Sequence, residues 1–249
     1  LTCYLYFHKF ISVIKVPVKE NLHMIKQEIT RIALTALVLV SVMAGCRKTD
    51  STISPVSDID GNSYRTIRIG DQIWMAENLK TSKFADGEVI PEVRDSADWC
   101  YLVAPALCWY DNDQDSYKDL YGALYNFYTV STGKLCPEGW HVPTKDEWQQ
   151  LIYFLGDTLS GGKLKEQGTL HWNDPNTGAI NSAGFSALPA GIRYLEGTFA
   201  SQGYFTAFWS ANEADTVHGW YSSLYYRDAL TGTGSTPKRN GLSVRCVRN

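Results

Sequence analysis

The chain has 249 residues, 44% of them hydrophobic and 20% charged, with a formal net charge of −3. Only five of its 23 Lys+Arg and two of its 26 acids precede Cys46, so the remainder carries 18 basic against 24 acidic side chains. A mildly acidic chain with no basic stripe speaks against nucleic acid as a partner, and eight tryptophans, all after Cys46, can core one good domain.

The first methionine is Met24, and residues 1–23 read as an upstream segment outside the mature protein. MIKQEITR then supplies a short basic start with Lys26 and Arg31, followed by the apolar run IALTALVLVSV, residues 32–42. That run fits a secretory signal and is too short to span a bilayer comfortably, so residues 24–45 are expected to be a signal peptide. Ala44 and Gly45 directly before Cys46 resemble the lipobox of bacterial lipoproteins, which implies lipidation of Cys46 and a membrane anchor. An ordinary signal peptide and a buried helix are the alternatives. Residues 46–57 are polar and read as a flexible tether, leaving residues 58–249 as the domain.

YRTIRIGDQIWMAENL, residues 64–79, alternates at Ile67, Ile69 and Ile73 about Gly70-Asp71, which predicts two short strands and a tight turn. KFADGEVIPEV, residues 83–93, reads as a second strand-like piece turning at Asp86-Gly87. LYGALYNFYTVSTG, residues 120–133, has Leu120, Leu124 and Phe127 or Tyr128 at helical spacing and a terminal glycine, predicting a first helix. In CPEGWHVPTKDEW, residues 136–148, Thr144 and Glu147 form a capping box, and Pro143 can pack on Trp148 as a hydrophobic staple. Trp148, Leu151, Ile152 and Leu155 then make one apolar stripe, and Gly156 stops the second helix. Beyond it the chain reads as short strands and long loops with no further helix, so the expected class is α+β.

Apart from Cys3 and Cys46, four cysteines remain, and an exported, even-numbered set favours disulfides with three possible pairings. The preferred pairs are Cys136–Cys246, joining the start of the core to its last strand, and the short-range Cys100–Cys108. A zinc site is disfavoured, because no spacing is C-x-x-C and no histidine lies near Cys100, Cys108 or Cys246.

GDQIWMAENLK, CWYDND, YGALYNFYTV, LCPEGWHVPTKDEW, GGKLKEQGTLHWN, GFSALPAGIR, FWSANE and the terminal LSVRCVRN occur here in order. Together they resemble the Fibrobacter succinogenes major paralogous domain over about residues 58–249. The family is common in exported lipoproteins of Bacteroidetes and Fibrobacteres, so the resemblance implies an outer-membrane lipoprotein facing the periplasm or the cell surface. It also implies a C-type-lectin-like fold related to formylglycine-generating enzymes, with two helices packed on short twisted antiparallel strands with long loops. It assigns little chemistry, because the family's molecular function is largely open.

Formylglycine-generating oxidases need a pair of reactive cysteines near the C-terminus, and here that region holds only Cys246. Trp172-Asn173-Asp174 resembles the calcium-lectin triplet but lies far upstream of the last strand, and a turn over residues 173–176 explains it. Asp111–Asp119 lacks the glycine and the bidentate glutamate of an EF-hand loop, which favours a solvated acidic loop over a weak calcium site. His141 has neither a second histidine nor a placed nucleophile, so packed structure is the simpler reading. No catalytic residue, metal or cofactor is expected. Binding potential falls on Trp172, Trp209, Trp220, Tyr221, Tyr225 and Tyr226 in the loop-rich half, of which about two should be exposed. The expected role is a lipid-anchored, non-catalytic binding domain for a glycan or an envelope protein. The alternatives are a degenerate formylglycine-generating-type oxidase and a purely structural envelope lipoprotein.

Overall fold

The computed structural model describes residues 53–249, so the expected upstream segment, the signal peptide, Cys46 and most of the tether lie outside the described residues. Strand β1 (Val56–Ser57) pairs with β2 (Ser63–Tyr64). Gly70 and Asp71 join β3 (Thr66–Ile69) to β4 (Gln72–Met75), with Ile67 opposite Trp74 and Ile69 opposite Gln72. The turn falls where the sequence predicts, but burial does not alternate: Ile73, Trp74 and Met75 are buried in succession, and Ile73 lies opposite Arg68, off the face shared by Ile67 and Ile69.

Helix α1 (Ser96–Tyr101) is capped by Asp95, and β5 (Leu107–Cys108) follows it. Helix α2 (Gln114–Tyr121) begins at Asp113, whose carboxylate accepts from the Ser116 N–H. One helix was expected across residues 120–133, and the structure corrects this. α2 ends at Gly122 (φ 74°), the chain extends as β6 (Leu124–Tyr125), and a short α3 (Phe127–Val130) starts from the Asn126 cap. A Cβ at Gly122 would stand 2.7 Å from the Leu79 carbonyl oxygen, so this close approach needs glycine and breaks the helical path. The apolar spacing therefore reflects consecutive buried elements, with Leu124, Tyr125 and Phe127 all in the core.

β7 (Trp140–His141) leads into α4 (Lys145–Phe154), which carries both reciprocal bonds of the Thr144–Glu147 capping box. Its stripe of Trp148, Leu151, Ile152 and Leu155 is buried, and Gly156 follows in the left-handed region. A further short helix, α5 (Ser160–Leu164), was not expected from the sequence. Its Gly161-Gly162 pair has low intrinsic helix preference, and backbone packing against Leu230 and Gly178 holds the turn in place.

The loop-rich half contributes β8 (Ile192–Arg193), β9 (Phe199–Ala200), β10 (Phe205–Glu213), β11 (His218–Tyr225), β12 (Thr231–Pro237) and β13 (Val247–Arg248). β10, β11 and β12 form an antiparallel sheet, with a register shift between Trp209 and Glu213. A second sheet has the order β3-β4-β13-β7, which sets the last strand between the β3–β4 hairpin and the lead-in to α4. The described residues thus form five short helices and several small antiparallel sheets without a barrel. None of these helices is long and apolar enough to cross a membrane.

Aromatic side chains fill the core. Trp148 stacks on Phe208 at 5.5 Å and tilts against Trp74 at 4.8 Å, and Phe127 meets Trp209 edge-on at 5.2 Å. Cys136 is bonded to Cys246 across a sequence separation of 110. The expected Cys100–Cys108 bridge is corrected, because both are free thiols. α1 turns Trp99 into the cluster that holds Cys108, whereas Cys100, one residue further round the helix, is only half-buried.

The β1–β2 connection is tied down by Asp60. Its carboxylate accepts from the Ser82 N–H (2.7 Å), the Ser82 hydroxyl (2.8 Å) and the Thr81 hydroxyl (3.2 Å), and it pairs with Lys83. Burial alone would raise its pKa, but these bonds together hold it at about 2, against 3.8 unperturbed. A depressed carboxyl stabilises the fold above its unfolded pKa and loses that contribution as pH falls through its folded value. Asp60→Asn should therefore cost about 1–2 kcal/mol at pH 7, allowing for solvent screening. In urea titrations the gap to wild type should close between pH 4 and pH 2; a gap independent of pH would refute the assignment.

Candidate functional site

The six aromatic residues singled out by sequence do not form one surface. Trp172 and Trp209 are 1% and 0% exposed, and their indole N–H groups donate to the Ala187 and Tyr125 carbonyls. Tyr226 is 7% exposed. These three are core residues, which corrects their assignment as ligand contacts. Trp220 is half-buried beneath the Lys145 ammonium, 3.7 Å from its ring centroid, and Tyr221 is half-buried on the same strand. Tyr225 is exposed and meets Tyr226 edge-on at 4.8 Å, while Tyr204 meets Tyr226 at 5.0 Å from the turn before β10. Lys165 organises this end of the sheet. Fully buried, its ammonium donates to the Thr177, Tyr225 and Asp228 carbonyls, and burial lowers its pKa to about 8.

The residues of the other motifs take part in local structure. Asn173 to Asn176 is a turn closed by the Asn176 N–H on the Asn173 carbonyl. Asp113 caps α2 and Asp119 pairs with Lys80, so the acidic run serves a helix start. His141 Nε2 lies 2.8 Å from Glu147 and supports the capping box. Burial would raise the Glu147 pKa, yet the Thr144 N–H and hydroxyl and His141 bring it below the usual carboxylate range. Burial pushes the Cys108 thiol up to about 12 despite the nearby Arg193, so this cysteine is held as an unreactive thiol. No group of three or more metal-ligating side chains exists among the described residues.

Concavities among the described residues include two with polar linings. One, of about 450 Å³, lies between β4, α2 and the loops around His171 and Ser186, with Arg245 in its lining. Each carboxylate there already has a partner: Glu77 pairs with Arg65 (2.5 Å), Asp119 with Lys80 (2.9 Å) and Glu166 with His171 (2.9 Å). Its polar groups are largely engaged with one another.

The second, of about 690 Å³, runs between the β3–β4 turn and the C-terminal end of α4. The buried stripe of α4 forces what lies opposite it outward. Gln150, Tyr153 and Phe154 fall well over 100° round the helix from Trp148, and all three are exposed. Tyr153 and Phe154 are 77% and 63% exposed, high values for aromatic side chains in a protein that buries most of its own. Among the described residues neither ring has an aromatic or cationic partner. Phe154 rests one face on Gly70 (φ 60°), where an added Cβ would stand 3.1 Å from the ring, so this turn needs glycine for the ring to lie against it.

Gln72 spans the two walls. Its amide donates to the Glu147 carbonyl at 3.1 Å and lies 3.5 Å from Gln150 Oε1, while its oxygen accepts from the Trp74 indole at 3.2 Å. Gly156 and Asp157 close the far end. An open aromatic pair beside fixed carboxamides offers apolar faces and directional polar groups together, the combination that grips a ligand rich in both C–H and O–H groups. Sequence reasoning passed over Tyr153 and Phe154 because they lie on a helix before Gly168, outside the aromatic loops. The available signal was two adjacent aromatics off the apolar stripe of an amphipathic helix.

Residues 67–248 match the Fibrobacter succinogenes major domain. No curated protein and no solved structure matches the chain.

Proposed function

The chain belongs to the Fibrobacter succinogenes major domain family, and from that premise we propose that it is a non-catalytic glycan-binding module of the cell envelope. The observation that carries this reading is the exposed Tyr153–Phe154 pair beside the groove that Gln72 and Gln150 border. Ring faces stack on the C–H faces of sugars, and carboxamides take and give hydrogen bonds with hydroxyls. Both rings sit on a capped helix, so little ordering entropy is lost on binding.

The finer fold reading is C-type-lectin-like. It is supported by the pairing of the β3–β4 hairpin with the last strand and by the long, loop-rich excursion between them. The export address and the lipid anchor at Cys46 are proposed from the apolar run and the Ala44-Gly45-Cys46 sequence.

A glycan array probed with the full chain tests the module. Tyr153→Ala/Phe154→Ala should weaken any hit by about 10- to 100-fold, the loss of one or two stacked rings. Thermal stability should be unchanged, because both side chains are exposed. Full retention of binding by this variant would remove the groove as the site.

A further inference from the structure

We infer that the groove selects an oligosaccharide bearing free amino groups over its neutral or acidic counterparts. This rests on the glycan reading above and deepens it. The charged side chains bordering the groove are Asp71, on the β3–β4 turn, and Asp157, beyond the end of α4. Both are exposed, and neither carboxylate makes an ion pair or hydrogen bond with any described residue. In the other concavity, by contrast, Glu77 and Asp119 each pair with a cation of the chain itself and Glu166 lies 2.9 Å from His171.

The backbone adds charge of the same sign. The groove lies at the C-terminal end of the ten-residue α4, where the last carbonyls and the helix dipole contribute partial negative charge. Lys163 donates to one of those carbonyls (Leu155 O, 2.7 Å) and remains a full positive charge at this helix end, so the surplus of negative charge at the groove rests on Asp71 and Asp157.

Two unpaired carboxylates, a helix C-terminus and two open aromatic faces together make a cation-selective surface. An ammonium group gains ion pairing and cation–π attraction there. A carboxylated or sulfated sugar would be repelled, and an N-acetylated sugar would gain only stacking and hydrogen bonds. A hexosamine oligomer with free amines fits all of these features, with its rings on Tyr153 and Phe154 and its amines toward Asp71 and Asp157.

The test is calorimetric titration of the full chain with a fully N-deacetylated β-1,4-glucosamine hexamer and with its N-acetylated counterpart. Wild type should bind the deacetylated hexamer about tenfold more tightly in low salt, and the preference should shrink at high ionic strength. Asp71→Asn/Asp157→Asn should bring the ratio of the two affinities to about one. Both side chains are exposed, so an unchanged thermal midpoint verifies that the variant is folded. Equal wild-type affinities, or a preference that survives the double substitution, would overturn the amine selectivity and leave the glycan reading standing. If neither hexamer nor any array glycan binds, while an oligolysine peptide binds wild type and not the variant, the glycan reading and this inference both fall.

Discussion

Breaking the Cys136–Cys246 bond is expected to lower the unfolding free energy by about 4–5 kcal/mol, since it frees a loop of 110 residues in the unfolded chain. Cys246 immediately precedes β13, and its carbonyl accepts from the Met75 N–H at 3.0 Å, so the bond holds the closing strand beside the β3–β4 hairpin. For a domain of this size the loss corresponds to a fall in Tm of roughly 10–18 °C. The comparison is wild type against Cys136→Ala/Cys246→Ala by thermal and urea unfolding. A fall of less than about 3 °C would mean that sheet pairing alone fixes the strand.

Arg193→Met should cost about 3–5 kcal/mol, the second large effect. Arg193 is 0% exposed, and its guanidinium makes its bonds to backbone carbonyls. Nε donates to Gly197 O (3.1 Å), Nη1 to Val93 O (2.5 Å), and Nη2 to Arg94 O (2.8 Å) and Asp95 O (3.3 Å). Its plane lies 4.3 Å from the Trp99 ring and 4.8 Å from Phe199. Replacing a complete buried ion pair with apolar residues is often neutral, but these acceptors belong to the main chain and cannot be replaced with it. Methionine would fill the space and orphan the carbonyls, each worth about 1–3 kcal/mol when buried. Arg193→Lys keeps the charge without the planar fork and should recover less than half of the loss. A loss below about 1 kcal/mol for Arg193→Met in urea titrations would show that water reaches those carbonyls.

Arg193 also marks a limit of reading the sequence. Its role depends on residues 93–95, about a hundred positions away, and no local pattern announces that a charged residue will be interior. Lys165 and Arg245 follow the same logic. Arg245 donates to Asn78 Oδ1 at 2.8 Å and to the Phe185 and Ser186 carbonyls, with its guanidinium 4.1 Å from the Phe185 ring. In a chain with so much irregular backbone, these buried cations collect loop carbonyls that no strand or helix satisfies. Trp172 and Trp209 hid their burial in the same way. Composition marks them as large amphipathic surfaces, and only long-range carbonyl partners show that they face inward.

What the sequence by itself determined is local. The β3–β4 turn at Gly70-Asp71, the Thr144–Glu147 capping box, the buried stripe of α4 and its stop at Gly156 follow from interactions within a few residues. Family membership was legible for a related reason, since ordered motifs along the chain survive without knowledge of their contacts. Tertiary structure alone decided that residues 120–133 break into helix, strand and helix, because Gly122 must pass close to Leu79. It decided too that Cys100 and Cys108 stay apart, because α1 offers Trp99 to the core in place of Cys100. The groove belongs to both levels. Helical periodicity sends Tyr153 and Phe154 outward, but only the packing of a distant hairpin turn beside them gives the groove its second wall.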